Sequence, residues 1–395
     1  MTHPPLLPVA EAQRRLLALA PTIDTEQLAV IEAAGRYLRA PVVAQRSQPA
    51  QDLSAMDGYA IRFADMPGPW RVIGESAAGH GHDGAIDAGE AVRIFTGAPM
   101  PPGADTVLVQ EEAERDGALL RLAGEGPRYR TRNVRARGLD FHASDVLATT
   151  GDRLTPARLA LIATGGARTV TVSRRIRIAL AATGDELVEP GSGGGTGLPE
   201  SNRLMLRAML ADLPVEFVDL GILPDRLDVL TEAFANVRAD MLVTTGGASV
   251  GDHDLVRPAL EAAGTAIDFW RIALRPGKPM MAGRRDDCVV VGLPGNPVSA
   301  FVTGMLFVRP LAAAIAGARD PLPQTTRATL GEPLPANNER TDYLRAELRG
   351  GLLYTAAIQD SSMLATLARA TCLILREPYA PPAAIGESAE ILPIA

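Results

Sequence analysis

The spacing of hydrophobic positions changes along the chain and divides it into regions. Between residues 10 and 40, apolar side chains recur every three or four positions, which predicts helices, and Asp24 with Gln27 predicts the N-cap of the second helix. Residues 152–166 return to helical spacing. We therefore expect residues 1–42 and 142–173 to form one helical body.

The segment 43–141 between those stretches has a different texture. It is rich in Gly, Pro and Asp and carries short alternating runs such as AVRIF, TVLVQ and LLRLA. Such runs are typical of short strands joined by turns. The pattern predicts a β lid domain inserted into the helical body.

Strand and helix patterns alternate through residues 174–322. Apolar runs such as RIRIALAAT, DMLVTT and CVVVGL are each followed by an amphipathic stretch, which predicts an α/β layered domain with a mainly parallel sheet. From residue 323 to the end at 395, the pattern is β again and predicts a barrel-like domain. The expected fold class is multi-domain α/β plus β.

Composition and charge narrow the classes of function. Apolar residues make up 47% of the chain and charged residues 22%, as in folded globular proteins, and the net charge of −7 argues against nucleic-acid or anionic-membrane binding. The N-terminus carries prolines and Glu11, unlike a secretion signal, and the apolar stretch from Val298 to Val308 is too short to span a bilayer. We expect a cytoplasmic protein with a buried helix at that stretch.

Cysteine and lysine are both rare. Cys288 and Cys372 lie far apart in apolar runs, which excludes a disulfide scaffold or a four-cysteine metal site. Lys278 is the only lysine among 39 basic residues. Because an ammonium is a compact point charge where a guanidinium is a planar fork, Lys278 is a candidate anion ligand, although compositional bias alone is the alternative.

Three strand ends of the α/β region carry loops with glycines, hydroxyls and acids. Ligands of such sheets bind at the carboxyl ends of strands, where glycines and helix N-termini accommodate anions. The acids would repel a bare phosphate, so they indicate a divalent cation between carboxylates and phosphate. The loop residues are Gly184, Asp185, Glu186, Gly246, Gly247, Ser249, Gly251, Asp252, Pro294, Gly295, Asn296, Pro297 and Ser299.

Other motifs are weaker when taken alone. A turn stiffened by two prolines presents Arg275 and Lys278, either to an anion or to solvent, and two lid loops carry Asp57 and Thr96. The run GHGHDG matches a dinucleotide-binding pattern, but no helix pattern follows it, so we assign a loop. Five arginines in the window 128–137 indicate either a solvated edge or a contact with a phosphate-bearing ligand.

Taken in order, these motifs resemble one known family. SAMDGYA, TGAP, NVR-x-R-G-x-D, TGDEL, TGGASVGD-x-D, RPGKP and GLPGNPVSA are similar to the motifs of the molybdopterin molybdenumtransferases, which include the C-terminal domain of gephyrin. The resemblance covers nearly the whole chain and is weakest beyond residue 323. It implies a homodimer whose cleft lies between the α/β domain of one subunit and the β lid of the other.

The resemblance also implies a reaction and its partners. Adenylyl-molybdopterin and molybdate would give the molybdenum cofactor and AMP, with Mg²⁺ as cofactor. A molybdopterin-adenylating enzyme and recipient molybdoenzymes are further candidate partners. A tungsten-inserting paralogue, and a non-catalytic scaffold that binds a partner peptide, are the alternatives, and the intact Lys278 and acid set favour the enzyme.

The family's functional residues carry over by matching motifs. The resemblance implies functional acids at Asp57, Asp140, Glu186, Asp225 and Asp254, of which the last three would bind Mg²⁺, a lid hydroxyl at Thr96, molybdate contacts at Lys278 and Ser299, and C-terminal contacts at Arg345 and Ser361. The sequence departs from the family pattern at Leu139, Ala248, Glu200, Arg275 and Asp360. None of these departures removes a matched acid.

Overall fold

A parallel sheet forms the centre of the α/β domain. The structure is a computed structural model that describes residues 6–192, 196–246, 255–277 and 279–394, the side chain of Trp270 excepted. In it the sheet has six strands in the order Val215–Leu223, Ile176–Thr183, Met241–Thr245, Cys288–Leu293, Pro279–Arg285 and Ala266–Arg271. The first four strands pair in parallel with their neighbours, and each of the last two pairs antiparallel with the strand before it. This confirms the predicted mainly parallel sheet.

Helices cover both faces of this sheet. Alternate residues of Ile176–Thr183 enter different cores: Ile178 and Leu180 belong to one, and Ala179 and Ala181 to the other. Strands buried on both faces read as continuous apolar runs, which explains the sequence of this segment. The helices are Asn202–Met209, Leu227–Ala235, Val256–Ala262 and a continuous Pro297–Ala316, in which Gly304–Val308 forms a π-helical turn.

The long helix Pro297–Ala316 is long and apolar enough to cross a membrane by length and composition alone. However, 78% of its most apolar window is buried inside the protein. Val302, Leu306 and Leu311 pack in the same core as the central sheet. The helix is therefore a core helix, as the sequence predicted.

The N-terminal body is only partly helical, which corrects one prediction. Val9–Ala18 and Pro156–Thr164 are helices, but the second predicted helix is wrong: Thr25–Ala29 is a strand paired antiparallel with Thr169–Ser173, and Val30–Glu32 is a 3₁₀ turn. The partner strand, TVTVS, is β-branched at its first four positions and favours pairing. The two strands Val42–Val43 and Val146–Ala148 also pair within this body.

The segment 43–141 folds as the predicted β structure. A six-stranded sheet has the order Thr106–Val109, Gly58–Ile61, Glu90–Ile94, Trp70–Ser76, Leu119–Leu122 and Ala113–Asp116. The short strand Leu53–Ser54 pairs with Val134–Arg135, and Phe63–Asp65 and Gln110–Glu112 are 3₁₀ turns. Trp70, Ile61 and Leu108 fill one core of this lid.

The C-terminal region forms a closed barrel, as predicted. Its five strands follow one another around the barrel in the order Thr341–Arg349, Leu352–Thr355, Thr326–Leu330, Ser388–Pro393 and Cys372–Arg376, and the last pairs with the first. The helix Leu364–Arg369 follows the loop at 356–363. A two-residue strand of the α/β domain, Leu274–Arg275, pairs in parallel with Thr341 and Asp342, so the two domains share hydrogen-bonded backbone.

Candidate active site

A cavity of about 710 Å³ opens where the carboxyl ends of the parallel strands meet. A pocket of this size accommodates a cofactor-sized molecule. The predicted site residues that line it are Gly184, Glu186, Asp225, Gly246, Pro294, Gly295, Asn296 and Pro297. The loops singled out from sequence therefore converge, as expected for neighbouring parallel strands.

Two glycines allow these loops to approach closely. Gly246 has a φ of +94°, and a Cβ there would lie 2.4 Å from the backbone oxygen of Thr183. A Cβ on Gly295 would lie 3.5 Å from the Cα of Gly246. Any side chain at Gly246 would force the strand ends apart, so glycine at this position keeps the floor of the cavity narrow.

The carboxylates of Glu186 and Asp225 line the cavity, and Asp185 lies near enough to affect Asp225. The backbone N–H of Asp225 donates to Asp185 Oδ1 at 3.0 Å. Burial raises the pKa of Asp225, and the charges of Asp185 and Glu186 raise it further. Repulsion of this kind is relieved by a bound cation.

The donor set fits Mg²⁺ bound partly by the substrate. Mg²⁺ is commonly held by one or two carboxylates together with substrate phosphates, and Glu186 and Asp225 both line the cavity. Within the part of the chain that the structure describes, no three His, Cys, Asp or Glu side chains form a metal-binding group by themselves. Asp254, the third predicted ligand, lies outside the described residues.

The backbone before Lys278 packs against the N-terminal part of the long helix. Gly277 has a φ of +114°, and a Cβ there would lie 2.7 Å from Thr303 Cγ2 and 3.8 Å from the backbone oxygen of Ser299. Ser299 is buried, and Pro279 lines the cavity. Arg275 forms an ion pair with the buried Asp342 of the barrel, so its charge is already partnered.

Several predicted residues lie outside the part of the chain that is described. They are Gly247, Ser249, Gly251, Asp252, Asp254 and Lys278.

The two predicted residues of the barrel domain have different surroundings. Ser361 Oγ accepts from Asn296 Nδ2 at 3.1 Å, and Ser361 O accepts from Val298 N at 3.1 Å, so its loop is attached to the cavity rim. Arg345 is only 1% exposed and is not among the residues that line the cavity. Its guanidinium donates to Asp360 O at 2.8 Å and Ile358 O at 3.3 Å, and so it holds the loop that carries Ser361.

The lid brings two predicted residues together. The N–H and hydroxyl of Thr96 both donate to Asp57 Oδ1, at 2.7 and 2.8 Å, and these hydrogen bonds lower the pKa of Asp57. Asp140 is exposed, and its backbone N–H donates to Gln48 O at 2.9 Å. Among the described residues, the lining of the cavity includes none from 43–141.

Sequence reasoning missed part of the lining. Thr183 and Asn202 line the cavity, and so do Leu198 and Leu364. Thr183 is the last residue of a strand that the sequence predicted, and Asn202 is the first residue of the helix after Glu200. Their positions at a strand end and a helix start could therefore have identified them as candidate site residues. The side chain of Glu200 accepts from the backbone N–H groups of Asn202 and Arg203 at 2.7 and 3.0 Å and fixes this helix start.

Comparison with known proteins identifies the family. Three family models match the chain in succession: the MoeA N-terminal region (domains I and II) over residues 7–166, the probable molybdopterin binding domain over 179–314, and the MoeA C-terminal region (domain IV) over 327–394. The molybdopterin molybdenumtransferase of Haemophilus influenzae is 33% identical over 98% of this chain and 98% of that protein. This chain belongs to the molybdopterin molybdenumtransferase family.

Other relatives of the family agree with the assignment. The molybdopterin molybdenumtransferase of Bacillus subtilis is 33% identical over 93% of this chain and 90% of its own length. The crystal structure of the molybdopterin biosynthesis moeA protein from Pyrococcus horikoshii matches 99% of this chain and 100% of that chain, with a TM-score of 0.85 at 26% identity. Like its molybdenumtransferase relatives, this chain is an enzyme of molybdenum insertion in cofactor biosynthesis.

Proposed function

We propose that this molybdenumtransferase converts adenylyl-molybdopterin and molybdate into the molybdenum cofactor and AMP, and that it requires Mg²⁺. The convergence of Glu186, Asp225 and Asp185 beside a narrow, glycine-floored cavity carries the proposal. Mutually repelling carboxylates are suited to a cation that in turn binds an anionic phosphate. When bound, Mg²⁺ would withdraw charge from phosphate oxygens.

Different residues of the chain bind the metal, the molybdate and the substrate. Glu186 and Asp225, with Asp254, hold the metal, while the glycines at 246 and 295 let the strand ends that line the cavity approach one another. Ser299 and Lys278 supply the hydroxyl and the charge for molybdate, a tetrahedral dianion. The Asp57–Thr96 pair of the lid is preorganised by its two hydrogen bonds and keeps Asp57 ionised.

The sulfur ligands of molybdenum belong to the substrate. Cys288 and Cys372 are both buried, and burial raises the pKa of Cys288 to about 11. A buried thiol with a raised pKa is a poor metal ligand because the thiolate is the binding form. Two reduced, buried thiols also support a reducing compartment, and we propose the cytoplasm.

We further propose that the active unit is a homodimer. The cavity lining found among the described residues comes from the α/β domain and from Ser362 and Leu364, and the Asp57–Thr96 pair of the same chain is absent from it. The lid of a second copy would complete the site. A molybdopterin-adenylating enzyme would supply the substrate, and recipient molybdoenzymes would take the product.

Release of AMP tests the proposed reaction. The protein is incubated with adenylyl-molybdopterin, Mg²⁺ and molybdate, and AMP is measured by chromatography. Glu186→Gln keeps the shape of the side chain and removes its charge, so AMP release is expected to fall by about 10²–10³-fold, as for the loss of one preorganised electrostatic contact. Equal AMP release by Glu186→Gln, or by wild type without Mg²⁺, contradicts the proposal, and a parallel series with tungstate measures the preference between oxyanions.

A further inference from the structure

Two residues that line the cavity each carry a buried polar atom with no hydrogen-bond partner among the described residues. The atoms are Thr183 Oγ1 and Asn202 Oδ1, and the residues that carry them are 4% and 8% exposed. A buried polar atom without a partner costs about 1–3 kcal/mol, so native proteins keep few of them. Two on one cavity wall indicate that a ligand supplies the missing partners.

The orientation of Asn202 fixes what it can accept. Its Nδ2 donates to Gly295 O at 2.8 Å, so the oxygen of the amide is the atom left without a partner. This oxygen accepts hydrogen bonds only, and it therefore requires an N–H or O–H group of a ligand. A phosphate or molybdate oxygen has no proton to donate at neutral pH, so neither satisfies Asn202.

The two atoms flank one junction of the cavity floor. A Cβ on Gly246 would lie 2.9 Å from Thr183 Oγ1, and a Cβ on Gly295 would lie 3.5 Å from Gly246 Cα. The amide Nδ2 of Asn202 donates a hydrogen bond to the carbonyl oxygen of that same Gly295. The absence of side chains at both glycines lets Thr183, Gly246 and Gly295 pack closely, so the two polar atoms lie near one another at the cavity floor.

Apolar side chains complete this part of the cavity. Leu187, Leu198 and Leu364 belong to the lining, and Leu198 is 58% exposed in the free chain. An apolar wall with a few convergent polar atoms is typical of sites for ring systems. The donor groups of the ligand are therefore expected at the edge of a planar ring.

We propose that Thr183 and Asn202 form a recognition subsite for an amino-substituted nitrogen heterocycle. The inference rests on the proposed function, whose substrate carries two such rings, the adenine and the pterin. Asn202 Oδ1 accepts a hydrogen bond from the exocyclic amino group or from a ring N–H. The Thr183 hydroxyl forms a hydrogen bond with an adjacent ring nitrogen or N–H. The subsite gives the chain selectivity for the base, and its residues differ from the acids of the same cavity that serve the phosphate.

Binding titrations on matched valine variants test the subsite without requiring turnover. Thr183→Val and Thr244→Val each remove a buried hydroxyl that lacks a partner, and Thr244 lies on the neighbouring strand outside the lining. Both variants are expected to unfold at a higher temperature than wild type when free. Only Thr183→Val is expected to bind AMP or neopterin about tenfold more weakly, which corresponds to about 1.4 kcal/mol.

The probes identify which ring is bound. Loss of AMP affinity in Thr183→Val assigns the adenine, loss of neopterin affinity assigns the pterin, and ribose 5-phosphate, which has no ring nitrogen, is expected to bind all variants alike. If Thr183→Val binds AMP and neopterin as Thr244→Val does, the proposal is overturned. Because calorimetric titration measures binding alone, this outcome is distinguishable from a failure to release AMP from the full substrate.

A second pair of variants tests Asn202 independently. Asn202→Asp and Asn202→Leu are similar in size, and both lose the donation to Gly295, but only Asp retains an acceptor at this position. Asn202→Asp is therefore expected to bind the selected probe at least about tenfold more tightly than Asn202→Leu. Equal affinities of the two variants would remove Asn202 from the subsite.

Discussion

Two carboxylates that the sequence assigns to the site have pKa values displaced in opposite directions. The pKa of Asp57 is lowered because the N–H and hydroxyl of Thr96 donate to its carboxylate. The pKa of Asp225 is raised because it is buried and lies near Asp185 and Glu186. Asp57 therefore increases the free energy of unfolding at pH values above its unfolded pKa. Asp225 contributes most to the free energy of unfolding when it is protonated, and this contribution is lost as the pH rises through its folded pKa.

Asp225→Asn should stabilise the metal-free protein. At pH 7 the substitution removes a charge whose folded pKa is raised, so the unfolding temperature should rise, while below about pH 4 the difference from wild type should shrink. The same variant should lose the stabilisation by Mg²⁺, which for wild type is about 2.7 kcal/mol at 100 times the Kd. Thermal unfolding with and without Mg²⁺ at both pH values checks this, and an unchanged Mg²⁺ response would exclude Asp225 as a ligand.

Lys278→Arg tests whether the only lysine serves a small anion. If an ammonium seats molybdate in a tight pocket, the planar guanidinium should misplace its donors and raise the molybdate concentration for half-maximal AMP release at least about tenfold, or 1.4 kcal/mol. Arg275→Lys is the matched control in the same turn, since Arg275 is already paired with Asp342. Overlapping molybdate titrations for wild type and Lys278→Arg would mean that the lysine is an accident of composition.

At the scale of elements, loops attached to regular strands and helices form the site. The loop at 356–363 belongs to the barrel domain, yet it reaches the cavity. Arg345 donates hydrogen bonds to its carbonyl groups, and Val298 and Asn296 donate hydrogen bonds to Ser361. A buried arginine that donates to several carbonyls acts as a structural clamp. Arg345 therefore affects the site through the loop.

Arg345→Met should weaken the fold as well as the activity. The substitution leaves buried carbonyls without donors, at a cost of about 1–3 kcal/mol for each. Urea unfolding should shift to lower concentration, and Arg345→Lys, which keeps a charge and some donors, should recover part of the loss. Full stability of Arg345→Met combined with lost molybdate affinity would instead indicate a direct contact with the substrate.

The sequence was sufficient for the elements whose pattern is local. The buried parallel strands and the acids at their ends could be predicted because strand ends of one sheet edge necessarily meet. The strand Thr25–Ala29 could not, since its partner Thr169–Ser173 lies far along the chain and the local spacing resembles a helix. The unpartnered atoms of Thr183 and Asn202 also required coordinates, because a missing hydrogen bond leaves no trace in a sequence.

At the scale of the whole molecule, the lid and the cavity belong to different parts of one chain. The Asp57–Thr96 pair lies in two lid loops, one before the strand Gly58–Ile61 and one after the strand Glu90–Ile94, whereas the cavity lining among the described residues is drawn from the α/β and barrel domains. A C₂ dimer would bring each lid to the partner's cavity and create two equivalent clefts. The proposed dimer thus has a chemical role beyond stability.

Mixed dimers should recover activity from two inactive variants. Asp57→Asn damages the lid and Glu186→Gln damages the cavity, so random association of equal amounts gives mixed dimers with one intact cleft and about a quarter of the wild-type rate. AMP release by co-refolded protein measures this. Mixing Asp57→Asn with Thr96→Ala is the control, because both lesions lie in the lid, and recovery there, or none in the first mixture, would contradict a shared site.

The strand Leu274–Arg275 has a consequence for the modularity of the chain. It adds to the barrel sheet beside Thr341, and Tyr343 and Leu373 of the barrel pack in the same core as the central sheet. The boundary between the last two family models therefore does not divide the chain into independently folding units. A truncation at 322 would strip the central core of part of its packing and leave the strand Leu274–Arg275 without its neighbour, so the two domains should melt in a single calorimetric transition.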